Sequence, residues 1–143
     1  MTETSSKGVL RSATVMFLFV GLLGIWTGGC EKLTQEQKVE RLIKQLGHQK
    51  VKVRYRAAYA LGLIGEEAKD AVPALIQALQ DQNEDVRMDV AFALGMVGES
   101  AVPALIQALQ DEHVIVRVNA AKALGEIGTL EALKAVEEYQ SRQ

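Results

Sequence analysis

An all-α solenoid, built from three stacked helix pairs and a C-terminal capping helix, is the fold this sequence predicts, and three observations carry it. The eleven residues Ala71 to Asp81 (AVPALIQALQD) recur letter for letter at Ala101 to Asp111. A frame of Val-Arg followed by Leu-Gly-x-x-Gly occurs three times, from Val53 to Gly65, Val86 to Gly98 and Val116 to Gly128. Within each copy the apolar residues fall at helical spacing. A unit of this size cannot bury its apolar face alone, so neighbouring copies must share one core and leave a long surface open for contact.

The N-terminal residues read differently from the repeats. Lys7 and Arg11 precede an apolar run from Val15 to Trp26, followed by the small residues Thr27, Gly28 and Gly29 before Cys30. This charge, apolar and small-residue order is that of a secretory signal, so residues 1–29 are expected to be a signal peptide or membrane anchor. The uncharged stretch from Ser12 to Cys30 lies at the lower limit for a span of about 17 to 25 residues, which leaves a retained anchor as the second reading. Cys30 is the only cysteine, so no intrachain disulfide can form. Thr27-Gly28-Gly29-Cys30 resembles the bacterial lipobox, in which the leader is removed and the new N-terminal Cys is acylated; Thr27 stands where that motif usually has Leu, Val or Ile. The resemblance implies lipidation at Cys30, a short tether over residues 30–36, and a repeat domain held at a bacterial cell envelope, outside the cytoplasm.

The repeat domain is expected over residues 37–143, with its first unit starting at Thr34. In unit 34–65, Thr34 and Gln37 form a capping box, and Val39, Leu42, Ile43 and Leu46 make the apolar stripe of the first helix. The charged residues Glu36, Lys38, Glu40, Arg41 and Lys44 suit an end of the stack. In unit 66–98, Val72, Leu75, Ile76 and Leu79 form the stripe, and Pro73 fits the first turn, where its missing N–H is not needed. Asn83 is placed to cap the second helix, and Gly98 to end it in a left-handed conformation. Gly95, inside that helix, predicts close approach by a neighbour. Unit 99–128 repeats the plan at an offset of 30 rather than 33, the three extra residues of the earlier unit lying in the linker 66–71. A capping helix follows over residues 129–140.

Val-Arg, then Ala-Ala or Ala-x-Ala, then Leu-Gly-x-Ile/Val-Gly resembles the HEAT-like repeat of the phycobilisome-lyase type, from about Gln37 to Tyr139. The resemblance implies a right-handed α-solenoid whose second helices line the concave face. Relatives of that type include phycobilin lyase subunits, a metal-dependent hydroxylase and many scaffolds, so it implies architecture rather than activity.

Catalytic and metal constellations are not found in the sequence. A hydroxylase site would require paired His-Glu motifs, whereas His48 precedes Gln49, His113 precedes Val114, and the two occupy different repeat positions. After Cys30 the Ser and Thr residues are Thr34, Ser100, Thr129 and Ser141, in loops or at helix ends with no base beside them in sequence. No cofactor and no metal are expected, and no enzyme activity. The arginines at equal positions, Arg54, Arg87 and Arg117, are expected to pair with Asp81, Asp85 or Asp111 or to bind helix carbonyls.

Comparison between copies separates scaffold from surface. At 100° per residue, Val86, Val90, Ala93 and Val97 face the core, and Met88, Phe92 and Met96 lie nearly opposite. Those positions differ between units: Tyr55, Tyr59 and Leu63 in the first, Met88, Phe92 and Met96 in the second, Val118, Lys122 and Glu126 in the third. The candidate partner-binding residues are therefore Tyr55, Arg56, Tyr59, Leu63, Met88, Asp89, Phe92, Met96, Asn119 and Lys122, on the concave face. The first helices, with Ala74, Gln77 and Ala78 repeated as Ala104, Gln107 and Ala108, are expected to be a bland convex face.

The expected partner is another protein, with a homodimer and internal packing as the competing uses of the same side chains. An accessory subunit of an enzyme, lyase-like or chaperone-like and acting on a cofactor-bearing protein, is the alternative function. From Arg41 to Gly65 there are six bases and no acid, and from Glu66 onward fourteen acids against six bases. The basic end is the tethered end, where anionic headgroups would attract it. Nucleic-acid binding is not expected of an exported domain that is acidic overall.

Overall fold

The computed structural model describes residues 32–143, and the leader with Cys30 lies outside the described residues. Leu33–Gln143 is a compact unit with its own core. It contains helices α1 (Gln35–Leu46), α2 (Val51–Ile64), α3 (Val72–Ala78), α4 (Glu84–Val97), α5 (Val102–Ala108), α6 (Val114–Ile127) and α7 (Leu130–Gln140). Each pair α1/α2, α3/α4 and α5/α6 is one unit, and α7 packs on α5 and α6 as the closing helix. The described residues contain no strand, as expected of an all-α solenoid.

The capping residues act as their chemistry requires. Thr34 accepts from the Gln37 amide at 3.2 Å while the Gln37 side chain accepts from the Thr34 amide at 3.0 Å, closing the capping box. Asn83 Oδ1 accepts from the Val86 amide at 3.1 Å and starts α4. Thr129 accepts from Ala132 at 3.3 Å and starts α7. Pro73 and Pro103 sit in the first turns of α3 and α5.

Leu61, Leu75, Leu79, Leu94, Leu105 and Leu124 are fully buried, with Val86, Val90 and Val97 between them. Small residues in the same cluster, Ala57, Ala58, Ala93, Ala120 and Ala123, let the helices approach closely.

The linker between units is ordered and helical. Gly65–Ala71 and Gly98–Ala101 are 3-10 segments of seven and four residues. They differ by three residues, and the longer one is broken by a kink at Ala68, whose φ of −90° and ψ of 16° are not helical. Ala68 and Ala71 are buried beneath the longer one.

One glycine departs from expectation. Gly98 has φ 76° and ψ −140°, and Gly65 is alike at 69° and −137°, so neither is left-handed helical. Both begin a 3-10 segment immediately, which requires the following peptide to turn over. Gly128, followed instead by the extended Thr129, has the left-handed values φ 68° and ψ 11°.

Candidate protein-binding face

The second helices α2, α4 and α6 lie side by side, each with its Val-Ala-Leu side buried and the other side turned out. On the outer side Tyr59 is 48% exposed, Leu63 65%, Met88 51% and Met96 50%. Arg56 and Lys122 are exposed as well. Tyr55 and Phe92 are half-buried: the face expected to be fully open is anchored by two of its six apolar members.

Phe92 owes its position to Gly62. A Cβ on Gly62 would stand 2.7 and 2.9 Å from Phe92 ring atoms and 3.1 Å from Ala93 Cα. The missing side chain thus lets α4 press onto α2, and the Phe92 ring then stacks on Tyr59 with centroids 5.7 Å apart and planes 21° from parallel. The close approach expected at Gly95 takes a different form, since its neighbour is the Glu126 side chain, 3.0 Å from where a Cβ would be. At Gly125, at the end of the row, a Cβ meets nothing within 4 Å.

The first and last of these equivalent glycines yield opposite expected results. Gly125→Ala adds helix propensity without a clash and raises stability by about 0.5 to 1 kcal/mol. Gly62→Ala overpacks the α2/α4 seam and lowers it by about 1 to 3 kcal/mol. Urea denaturation of both variants checks the pair, and equal shifts would contradict the seam geometry.

Asp89 and Asn119 occupy the flank of the face nearest the preceding unit, and both are half-buried. Asn119 Nδ2 donates to the Leu79 carbonyl at 3.3 Å, linking the third unit to the second. Asp89 cannot make that donation when ionised. Burial raises its carboxyl above the ordinary range, and Asp85 one turn earlier adds like-charge repulsion.

The arginine column is structural, as its spacing suggested. Arg54 reaches across the unit boundary and grips Asp81 with two bonds of 2.6 and 2.9 Å. Arg87 Nη1 donates to the Asp81 carbonyl, and Arg117 Nη1 to the Asp111 carbonyl, both at 2.7 Å. Arg87 forms no ion pair with Asp111, the equivalent of Asp81; that carboxylate is held by the amide and Nδ1 of His113 at 2.8 and 3.0 Å. The histidines are exposed, His48 in the α1–α2 loop and His113 at the start of α6.

A cleft of about 630 Å³ opens on the first-helix side, between α1 and α3, where the sequence suggested a bland surface. Ile43, Lys44, His48, Arg54, Gln77 and Asp81 are among its lining. It is framed by the end of α1, the α1–α2 loop and the end of α3, a juxtaposition that no residue pattern announces. Its two half-buried charges, Arg54 and Asp81, already satisfy each other. The second-helix face therefore remains the better candidate for contact.

Two overlapping matches to the sequence profile of the family described as HEAT repeats cover residues 39–105 and 72–142. No match was found among the curated proteins. Among solved structures, the crystal structure of an engineered protein, a structural-genomics target, is similar at 27% identity and a TM-score of 0.52. The alignment covers 71% of this chain and 51% of that one, so the chain spans about half the length of that protein. Three helix pairs in register, and a profile match from residue 39 to residue 142, show that the chain belongs to the HEAT repeats family.

Proposed function

We propose that the chain is an envelope-tethered protein-interaction module whose contact surface is the outer side of α2 and α4. The observation that carries this is the run of Tyr59, Leu63, Met88 and Met96, four large apolar side chains about half or more exposed on two adjacent helices. Side chains of this type, clustered rather than scattered, mark contact surfaces. Half-buried Tyr55 and Phe92 give them a rigid base, with Arg56, Asp89, Asn119 and Lys122 at the rim. The repeat is of the phycobilisome-lyase type, serving as a scaffold.

Tethering through Cys30, or through a retained leader, is part of the same proposal and is supported by the order of charged, apolar and small residues before Cys30. Acyl chains gain about 0.8 kcal/mol per buried CH₂, so a diacyl group suffices to hold a domain of this size.

One preparation tests both halves. The full chain carrying a photocrosslinker at Met88 is expected to give a covalent protein adduct in the membrane fraction, and its N-terminal mass that of a diacylglyceryl Cys30. The adduct should disappear in Leu63→Gln with Met96→Gln at unchanged helicity. An adduct indifferent to that change, or none, rejects the face; an intact Met1 rejects the lipidated form.

A further inference from the structure

The charges beside the apolar run are unevenly placed and uncompensated. Lys50 caps α2 and Lys52 lies in its first turn, which contains no acidic residue, so two cations stand at the positive end of a helix dipole. One repeat along, Asp85 lies in the first turn of α4 with Asp89 four residues later, two like charges on one flank of a helix. Among the described residues, none of Lys52, Arg56, Asp85 and Asp89 is in an ion pair.

Repeat geometry makes these charges complementary to themselves. The offset of 33 places Lys52 level with Asp85, Tyr55 with Met88, Arg56 with Asp89, Tyr59 with Phe92 and Leu63 with Met96. A two-fold axis running along the helix direction between α2 and α4 brings the outward positions of one unit over their equivalents in a second copy, while flank positions such as Arg56 and half-buried Asp89 are carried to opposite sides. Exposed Lys52 then meets exposed Asp85 and apolar side chains meet apolar ones, the self-complementarity an isologous interface requires. The third unit falls outside the overlap, and there the row is mixed: Val118 stays apolar and exposed, while Lys122 and Glu126 carry the charge of a rim.

We propose that the outer face of α2 and α4 binds a second copy of this chain about that axis. The inference rests on reading the face as a contact surface, and it names the occupant. It also suits a tether. The axis is parallel to the helices, so both copies present the Thr34 end of α1 on the same side, and both chains can enter one membrane.

Two helices of fourteen residues, each about 21 Å long and about 10 Å apart, offer a footprint of only about 400 Å² per copy. That is about 800 Å² in all, below the roughly 1,200 Å² at which stable interfaces begin, so the association is expected to be weak in solution, concentration-dependent and strengthened by confinement to a surface.

Sedimentation velocity of Leu33–Gln143, which has its own core, over a concentration series tests this. A reversible monomer–dimer equilibrium is expected. Lys52→Glu, at an exposed site, sets like charges against Asp85 at both symmetric positions and should weaken the dimer by about tenfold or more. Adding Asp85→Lys in the same chain restores opposite charges, and should recover it. A monomer at every concentration, a dimer indifferent to Lys52→Glu, or no recovery in the double reversal overturns the proposal. If the chain is monomeric while the Met88 adduct forms with a different protein, the dimer is wrong and the contact face stands; loss of both rejects the face itself.

Discussion

Leu94→Ala should lower the stability of the repeat domain by about 3 to 4 kcal/mol. Leu94 is fully buried in α4, the middle of the three second helices, and α4 packs against both α2 and α6. A domain of this size has about 5 to 15 kcal/mol of net stability, so the substitution removes a large part of it. Stacked repeats are held by nearest-neighbour interfaces, and a cavity in the central unit weakens two at once. Urea unfolding should therefore show a lower midpoint together with a shallower slope, as the outer units separate from a cooperative whole. The same truncation at Leu124, next to the capping helix, should lower the midpoint with less loss of slope. A shift under about 1 kcal/mol at Leu94 would mean that the units are not packed through that residue.

The periodic parts of the fold were legible because each is fixed locally. A stripe such as Val72, Leu75, Ile76 and Leu79 can serve only one helical face, and Thr34, Asn83 and Thr129 each act on an amide three residues away. The parts that depend on distance between units were not legible. Gly62 and Gly95 occupy the same place in the repeat, yet one receives a Phe ring and the other a Glu side chain, since the difference lies in Phe92 and Glu126 on the next helix. Phe92 reads as open from the helical angle alone and is half-buried where α2 and α4 approach closely at Gly62, and Tyr55 is half-buried by packing against the core. The cleft between α1 and α3 likewise depends on the juxtaposition of separate elements. The angular count put Tyr59, Leu63, Met88 and Met96 on the outward side of their helices, where they lie exposed, but could not grade exposure within that side.

Asp81→Ala should cost about 2 to 3 kcal/mol and should also change how the protein responds to acid. Asp81 and Arg54 side chains are only 11% and 15% exposed, so removing the carboxylate leaves a guanidinium largely shielded from water with its principal partner gone. Arg54 keeps its bonds to the His48 and Gln49 carbonyls at 2.9 and 3.0 Å, which limits the loss. Burial pushes the Asp81 carboxyl up, but the Arg54 bonds, the Asn83 amide and the charges of Arg54 and Arg87 outweigh it and hold the group below its ordinary value. A carboxylate depressed in the folded state contributes fully above the ordinary value of about 4 and loses that contribution as pH falls through its folded value. Asp89 acts with the opposite sign: burial and Asp85 raise it, so taking up a proton above about pH 4 relieves a strain that the folded state bears at neutrality. Stability should therefore hold or rise slightly on mild acidification and then fall steeply below about pH 4. Asp81→Asn, which keeps the shape and removes the titration, should flatten that fall while leaving the mild rise in place. Chemical denaturation of the two proteins from neutrality to below pH 4 reads both limbs, and parallel curves in the acid limb would show that Asp81 does not carry the acid sensitivity.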